Sequence, residues 1–390
     1  MFKVKKLNNI ADIVNKYLDS DNFELTSEGE DYDAALVRSA DMHSLALPEN
    51  LLAVARAGAG TNNIPISDCT EKGIVVFNTP GANANAVKEL VICGMLLAGR
   101  DVVSSIDWLK EESAKGTKDL DKLVEKAKNN FVGPELTGKK LGVIGLGAIG
   151  VLVANAACNG LGMEVIGYDP FMSVEAAWHL TRAVKLTQNA DDIFKDCDFI
   201  TIHVPLNDKT RNTIAAEQIN KMKDGTVVLN FARGPLVNDE DIAAALESGK
   251  LGHYVTDFPN DFIAGKKGGI AIPHLGASTP ESEDNCAKMA AKQLKNYLLD
   301  GNIKNSVNLP ECILPKSEGY RLAIINRNIT NMVGQITSVL ASYKYNIDHM
   351  LNKSRGDYAY TLIDVESEPS KECVDELSKI DGVIRIRVIK

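Results

Sequence analysis

Residues 139 to 150 read Lys139-Lys140-Leu141-Gly142-Val143-Ile144-Gly145-Leu146-Gly147-Ala148-Ile149-Gly150, a short apolar strand that runs into a GxGxxG turn. In such a turn Gly145 permits the tight bend, Gly147 lets the backbone approach a pyrophosphate, and Gly150 lets the next helix pack closely on the strand. The free amides at the start of that helix, at Ala148 and Ile149, lie at its positive end. The segment therefore predicts a dinucleotide site.

A second strand supports this prediction, because Glu164-Val165-Ile166-Gly167-Tyr168 ends at Asp169. An acidic residue about 20 residues beyond the glycine turn belongs to the same fingerprint. Its carboxylate accepts hydrogen bonds from an adenosine ribose diol and would repel a 2′-phosphate. The cofactor predicted is therefore NAD and not NADP. The alternative is an ordinary glycine-rich turn followed by a surface Asp.

Length and composition narrow the class of protein. The chain has 390 residues, 45% of them hydrophobic and 24% charged, which is typical of a globular protein of two or three domains. Apolar runs stay below the roughly 18 residues of a membrane span, and the N-terminus lacks a signal-peptide core. We expect a cytoplasmic protein. Its net charge of −9 argues against nucleic acid or an anionic membrane as partner.

The seven cysteines are an odd number and widely spread, with neither a CxxC nor a Cys/His cluster. This pattern predicts no disulfide framework and no metal site. Because the chain has a net charge of −9, an anionic substrate must be held by a few well-placed cations.

The alternation of short strands and helices predicts an α/β fold with two doubly wound parallel sheets, one Rossmann-like and one flavodoxin-like. The pattern runs from residue 1 to about 95 and restarts at Lys140. Between them we expect one helix over residues 83–100 and a charged amphipathic helix over 102–130. The last 70 or so residues follow a smaller pattern that predicts a ferredoxin-like βαββαβ module.

Two side chains suited to alcohol chemistry follow strands, where ligands bind in doubly wound sheets. Arg233 presents a fork that matches a carboxylate, and His274 can accept a proton near neutral pH. Asp257 and Asp261 are candidates for the carboxylate that would orient the imidazole. Two more histidines, at positions 203 and 253, also lie near strand ends, so position alone does not single out His274.

Several motifs resemble the D-isomer-specific 2-hydroxyacid dehydrogenase family over residues 1 to about 310. They are Arg56-Ala57-Gly58-Ala59-Gly60-Thr61-Asn62-Asn63-Ile64, Gly73-Ile74-Val75-Val76-Phe77-Asn78, Leu136-Thr137-Gly138-Lys139-Lys140-Leu141-Gly142, His203-Val204-Pro205-Leu206, Ala232-Arg233-Gly234 and Pro273-His274-Leu275-Gly276-Ala277-Ser278-Thr279. The resemblance implies oxidation of 3-phospho-D-glycerate to 3-phosphohydroxypyruvate with NAD, the first step of L-serine biosynthesis.

The resemblance also implies roles for single residues. Arg233 would bind the substrate carboxylate and carbonyl, His274 would take the hydroxyl proton, and Asp261 stands where the family's usual partner of that histidine is Glu. The cofactor would be bound by Gly145, Gly147, Ala148, Ile149, Gly150, Asp169, Pro205, Thr210, Ala232, Asp257 and Gly276. The phosphorylated substrate would be bound by Arg38, Ser39, Gly58 and Gly60.

The domains implied are a substrate-binding domain of residues 1–95 and 281–304, an NAD-binding domain of 96–280, and a regulatory domain of 317–390 that resembles the ACT module. Asn328 and Asn346 match two asparagines that hold L-serine as an effector at paired ACT modules. Thr330 and Asn331 replace the family's Pro and Gly. The alternative is an ACT pair that only assembles a homodimer or homotetramer.

Two other functions fit the same residues. One is a dehydrogenase for an unphosphorylated acid such as glycerate, hydroxypyruvate or D-lactate. The other is an NAD-sensing binding protein similar to the corepressors that share this fold.

Overall fold

The structure is a computed structural model that describes residues 1–316 and 318–390. In these ranges the strands are β1 (Phe2–Lys6), β2 (Phe23–Thr26), β3 (Ala34–Val37), β4 (Ala53–Arg56), β5 (Val75–Phe77), β6 (Lys140–Ile144), β7 (Glu164–Tyr168), β8 (Lys185–Leu186), β9 (Phe199–Ile202), β10 (Thr226–Asn230), β11 (Leu251–Thr256), β12 (Gly269–Ala271), β13 (Tyr320–Arg327), β14 (Ile347–Arg355), β15 (Tyr358–Val365) and β16 (Val383–Ile389). The α-helices are α1 (Ile66–Glu71), α2 (Ala84–Gly99), α3 (Val102–Ala114), α4 (Leu120–Ala127), α5 (Ala148–Leu161), α6 (Val174–His179), α7 (Ala190–Asp196), α8 (Ala216–Lys221), α9 (Asp239–Ser248), α10 (Pro280–Asp300), α11 (Met332–Ser342) and α12 (Lys371–Ser378). Short 3-10 helices are Asp12–Lys16, Lys128–Phe131 and Gly234–Leu236.

The chain divides into two compact units. The first contains Met1–Ala82 and Pro280–Lys390, and the second contains Asn83–Thr279. The domain ranges expected from the sequence stay predictions. Ser317, with which the expected regulatory domain begins, lies outside the described residues.

The first unit is built on a parallel sheet of five strands in the order β2-β1-β3-β4-β5. This is the order of the flavodoxin-like doubly wound sheet, as predicted. The register pairs Val37 at the end of β3 with Arg56 at the end of β4, so the loops that follow the two strands start side by side. Helix α10 packs on this sheet through Leu294 and Tyr297, which share a buried core with Phe77.

The C-terminal part of the first unit forms an antiparallel sheet in the order β14-β15-β13-β16. With α11 and α12 this is the predicted βαββαβ module. Its strands also contribute to the core around α10, and arginines of β16 bind main-chain oxygens of the preceding part. Arg387 donates to the carbonyls of Tyr297 and Leu298 at 3.1 and 2.7 Å, and Arg385 donates to that of Glu49 at 3.0 Å.

The second unit is built on a parallel sheet of seven strands in the order β12-β11-β10-β9-β6-β7-β8. The chain starts in the middle at β6, proceeds to one edge through β7 and β8, and returns to the other side at β9. The strand order therefore reverses between β6 and β9, where open α/β sheets bind their ligands at the carboxyl ends. The predicted Rossmann-like sheet is confirmed.

Two details of the predicted elements are wrong. The single helix expected over residues 102–130 is broken, because Gly116 at φ +70° ends α3 in a left-handed turn. Strands β1 and β2 were not predicted. Strand β1 contains lysines at positions 3, 5 and 6, and only Val4 is fully buried in it.

None of the helices in the part of the chain that the structure describes has the length and hydropathy of a membrane span.

Candidate active site

The glycine turn has the geometry that a dinucleotide requires. Gly145 has φ +92°, and a Cβ there would lie 2.7 Å from the carbonyl oxygen of His203. At Gly150 a Cβ would lie 1.9 Å from the carbonyl oxygen of Gly145, so the close approach of α5 to β6 excludes any side chain. At Gly147 a Cβ would meet no described atom within 4 Å. The first two glycines are thus needed by the fold, whereas Gly147 faces open space beside the start of α5.

Asp169 is held next to this turn by main-chain amides. Its two carboxylate oxygens accept hydrogen bonds from the amides of Leu146 and Phe171, each at 2.8 Å. Both amides fix the orientation of the carboxylate at the end of β7. Each oxygen can accept a further bond, which is what a ribose diol would supply.

Asp257 follows β11 and is buried, with 1% of its surface exposed. Its Oδ2 accepts a hydrogen bond from the amide of Gly276 at 3.1 Å, and its Oδ1 has no partner among the described residues. Burial raises the pKa of this carboxyl, and the charges of His274 and Arg233 oppose the rise. Arg233, Asp257 and His274 follow the neighbouring strands β10, β11 and β12, and Oδ1 of Asp257 is a buried acceptor that an external donor could reach.

His274 lies in a strained loop after β12. Its φ of +31° is uncommon for a residue with a side chain and costs about 1–3 kcal/mol. The loop is held by the His274 amide, which donates to the carbonyl of Asp257 at 3.0 Å. The ring centroid of the exposed imidazole lies 4.9 Å from that of Phe258. The strained backbone therefore holds an exposed imidazole in the loop after β12.

Arg233 lies at the carboxyl end of β10, as predicted. Its main-chain oxygen accepts a hydrogen bond from the Asn230 side chain at 2.9 Å, and its Nη1 donates to the carbonyl of Ala232 at 2.6 Å. The guanidinium is exposed. A fixed backbone with an exposed fork suits a carboxylate ligand.

Asp261 lies in an exposed turn, where the side chain of Asn260 accepts hydrogen bonds from the amides of Phe262 and Ile263. Among the described residues no hydrogen bond or ion pair joins Asp261 to His274. The expected partnership of these two residues stays a prediction.

The other two histidines have different surroundings. Burial lowers the pKa of His203 to about 3, and its Nε2 lies 2.9 Å from Oγ1 of Thr201. A group that stays neutral down to such a pH is a weak base. His253 lies 3.5 Å from a carboxylate oxygen of Asp101 in the first half of β11. Both observations favour His274 as the proton acceptor.

The predicted cofactor residues Pro205 and Thr210 belong to one loop after β9. The Thr210 hydroxyl donates to the carbonyl of Pro205 at 2.6 Å and accepts from the amide of Asn207 at 2.8 Å. Its hydroxyl therefore stabilises the loop, and a direct contact with a cofactor stays a prediction.

The carboxyl ends of β3 and β4 carry cations. Nε of Arg56 donates to the carbonyl of Arg38 at 3.1 Å and to the side chain of Asn63 at 3.0 Å. A Cβ at Gly58 would lie 2.6 Å from Nη1 of Arg56, so the guanidinium lies against the glycine loop 58–60. Arg56 lies in one of the motifs quoted above but was not predicted to bind the substrate. The signal was available, because Arg56 ends a strand just as Arg233 follows one.

The remaining predicted substrate residues lie in the same region. Ser39 accepts a hydrogen bond from the side chain of Asn8 at 3.3 Å, and the carbonyl of Gly58 accepts one from the amide of Thr79. Nη1 of Arg38 forms an ion pair with Oε1 of Glu283 at 2.7 Å. No sequence pattern predicts this pair, because its partners are remote in the chain.

The two predicted effector residues lie at opposite ends of the antiparallel sheet. Asn328 follows β13 beside the turn between β14 and β15, where its side chain donates to the carbonyl of Gly356 at 3.0 Å. Asn346 precedes β14 at the other end of the paired strands. Eight strand residues separate them by roughly 25 Å, so one copy of the chain does not bring them together.

The described residues contain no cluster of His, Cys, Asp or Glu arranged to hold a metal ion.

Three features together define a dinucleotide-dependent dehydrogenase. They are a parallel sheet with a glycine turn at its switch point, an acidic residue after the next strand, and Arg, His and Asp at neighbouring strand ends. Residues 92–274 match the family model described as D-isomer specific 2-hydroxyacid dehydrogenase, NAD binding domain. The chain is 37% identical over 284 residues to a hydroxypyruvate reductase of Thermotoga maritima, a match that covers 70% of this chain and 86% of that protein. The chain belongs to the D-isomer-specific 2-hydroxyacid dehydrogenase family, and its cofactor domain is an NAD-binding domain.

Two further relatives carry a more specific name. The chain is 36% identical over 325 residues to the D-3-phosphoglycerate dehydrogenase of Methanocaldococcus jannaschii, covering 80% of this chain and 58% of the relative. The chain thus spans little more than half the length of that relative. A solved structure of NAD+-bound 3-phosphoglycerate dehydrogenase from Entamoeba histolytica is similar with a TM-score of 0.59 and 28% identity, covering 79% of this chain and 98% of that one.

Proposed function

We propose that this chain oxidises 3-phospho-D-glycerate to 3-phosphohydroxypyruvate with NAD. The observation that carries the proposal is the pair of arginines, Arg38 and Arg56, at the carboxyl ends of β3 and β4. Two guanidinium groups are suited to a phosphate dianion, which an unphosphorylated 2-hydroxy acid lacks. The names of the M. jannaschii and E. histolytica proteins support the same substrate.

The nicotinamide of a bound NAD would supply the hydride acceptor for C2 of the hydroxy acid. The residues that would hold it fit this cofactor, because Gly147 leaves open space at the start of α5 and Asp169 is oriented beside the turn. Buried Oδ1 of Asp257, which lacks a partner among the described residues, would accept a hydrogen bond from the carboxamide of the nicotinamide. An amide donor would thus remove the cost of an unsatisfied buried acceptor.

The protein's own residues would handle the acid end of the substrate. Arg233 would bind the carboxylate in a fork and keep the C2 hydroxyl in place. His274 would accept the proton of that hydroxyl as C2 is oxidised. In the reverse direction it would return the proton to the carbonyl oxygen. Asp261 would orient the imidazole of His274 and stabilise its charged form.

We further propose that two copies of the chain are needed to hold L-serine. Asn328 and Asn346 lie at opposite ends of the antiparallel sheet, and a twofold axis beside edge strand β14 would pair the end of one copy with the opposite end of its partner. The long edge of β14 (Ile347–Arg355) offers main-chain groups for such pairing. This arrangement would give a homodimer, and a homotetramer through a second interface.

The test is a substrate panel followed by NADH absorbance, using 3-phospho-D-glycerate, D-glycerate and D-lactate, each with and without L-serine. We expect the highest kcat/KM with the phosphorylated acid, and inhibition by L-serine if the effector proposal holds. A preference for D-glycerate would favour the second candidate, the hydroxypyruvate reductase activity named for the T. maritima relative. Tight NADH binding without turnover of any acid would contradict both and favour an NAD-sensing protein.

A further inference from the structure

Arg38 is paired with an acidic side chain. Its Nη1 lies 2.7 Å from Oε1 of Glu283, and the two side chains are 39% and 42% exposed. Both ends of the ion pair are therefore accessible to a solute. An anion that binds Arg38 must compete with the carboxylate of Glu283.

The backbones on both sides of the pair are fixed. The Arg38 amide donates to the side chain of Asn8 at 2.9 Å, while its carbonyl accepts from Nε of Arg56. Glu283 lies in the first turn of α10, next to Ser282 and near Cys286, both of which are buried. Rotation of the two exposed side chains can separate the charges.

A second arginine belongs to the same edge of the sheet. Nε of Arg56 donates to the carbonyl of Arg38 at 3.1 Å, and the register pairs Arg56 with Val37, the residue before Arg38. Burial raises the pKa of the Cys286 thiol, one helical turn along α10 from Glu283, and the charges of Arg38 and Arg56 oppose the rise. Glu283 is thus paired with one of two arginines at this edge.

We propose that Glu283 competes with the anionic group of the ligand for Arg38 and so sets the anion affinity of this site. A small anion such as inorganic phosphate gains little more than the arginine contacts and is opposed by Glu283. A phosphorylated substrate has further contacts through its acid end and can displace the carboxylate. This inference rests on the proposed function, since it takes Arg38 as the phosphate site.

The experiment compares Glu283→Gln with the matched control Glu281→Gln. Both residues lie in the first turn of α10, so each variant removes one negative charge near the same helix end, but only Glu283 pairs with Arg38. Binding of inorganic phosphate is measured by calorimetry, and the KM for 3-phospho-D-glycerate by NADH formation. Thermal unfolding verifies that the variants are folded.

We expect Glu283→Gln to lower the Kd for phosphate and the KM by about threefold to fivefold, the effect of one partly exposed ion pair. Glu281→Gln should change both by less than about 1.5-fold. The effect of Glu283→Gln should vanish in an Arg38→Ala background. Equal effects of the two variants, no effect, or weaker binding in Glu283→Gln would each overturn the inference.

The calorimetric result does not need turnover. If Glu283→Gln binds phosphate more tightly while no variant oxidises 3-phospho-D-glycerate, the proposed function fails and the role of Glu283 stands. If 3-phospho-D-glycerate is oxidised and Glu283→Gln behaves as the wild type, the proposed function stands and the role of Glu283 fails.

Discussion

The seven-stranded and five-stranded sheets are both parallel and doubly wound, yet their carboxyl ends carry different groups. The larger sheet has glycines, an oriented carboxylate at Asp169 and a buried acceptor at Asp257. The smaller sheet has Arg38 and Arg56, joined through the Arg38 carbonyl. The first set suits a cofactor whose pyrophosphate binds main-chain amides and whose ribose hydroxyls and carboxamide bind carboxylates. The second set suits an anion.

This difference separates what topology decides from what loops decide. Parallel strands with crossover helices determine that ligands bind at the carboxyl ends. The residues immediately after each strand determine which ligand. Variants of these residues can therefore test each edge independently of the fold.

The largest effect is expected for His274→Ala, which removes the proposed proton acceptor at the larger sheet. General base catalysis contributes roughly 100-fold to 10,000-fold, so kcat should fall by at least about 100-fold while NAD affinity changes little. Steady-state kinetics measures kcat, and calorimetric titration with NAD measures the affinity. His253→Ala is the control, because His253 lies in the first half of β11, away from the strand's carboxyl end. Near-normal turnover of His274→Ala would exclude this residue from the chemistry.

The next effect concerns the glycine turn. A methyl group at Gly147 meets no described atom, so Gly147→Ala should unfold at the wild-type temperature but bind NAD about tenfold more weakly, a loss of about 1.4 kcal/mol. At Gly150 the methyl group would overlap the carbonyl of Gly145, so Gly150→Ala should lower the Tm as well. Calorimetry with NAD and thermal unfolding distinguish the two. Unchanged NAD affinity in Gly147→Ala would contradict the proposed pyrophosphate site.

Local signals explain why much of this edge was predictable. The glycine turn, the strand that ends before Asp169, and the strands before Arg233 and His274 are each short local patterns in the sequence. The βαββαβ module was predicted for the same reason, since its strands and helices have clear periodicity. The family resemblance is confirmed by the comparisons.

Features that depend on distant contacts could not be predicted. The Arg38–Glu283 pair joins a loop after β3 to helix α10, and the burial that lowers the pKa of His203 comes from packing around β9. Strand β1 was missed although Phe2-Lys3-Val4-Lys5 has the apolar/polar alternation of a half-buried strand, so its signal was available in the sequence. The break at Gly116 was missed because glycine is also tolerated within helices.

At the smaller sheet, Arg38→Ala should raise the KM for 3-phospho-D-glycerate by about tenfold, the lower part of the range for hydrogen bonds to charged groups. The effect is moderate because the free protein already pairs Arg38 with Glu283. The KM for D-glycerate should change by less than about twofold. The ratio of the two KM changes, measured by NADH formation, is the readout. Equal changes for both acids would place the phosphate elsewhere.

The smallest effect concerns His203 and the pH dependence of stability. Burial lowers the pKa of His203 from 6.5 to about 3 in the folded state. Between these two pH values the unfolded chain binds a proton at His203 and the folded chain does not. His203 therefore lowers the free energy of unfolding as pH falls from 6.5 towards 3, by about 1 kcal/mol at pH 5.5. His203→Gln, whose amide can still bond to Thr201, should lose this pH dependence in urea unfolding at pH 7.5 and 5.5. The control is His179→Gln at an exposed position, which should keep the pH dependence of the wild type. If His203→Gln also kept it, His203 would be protonated in the folded protein at pH 5.5.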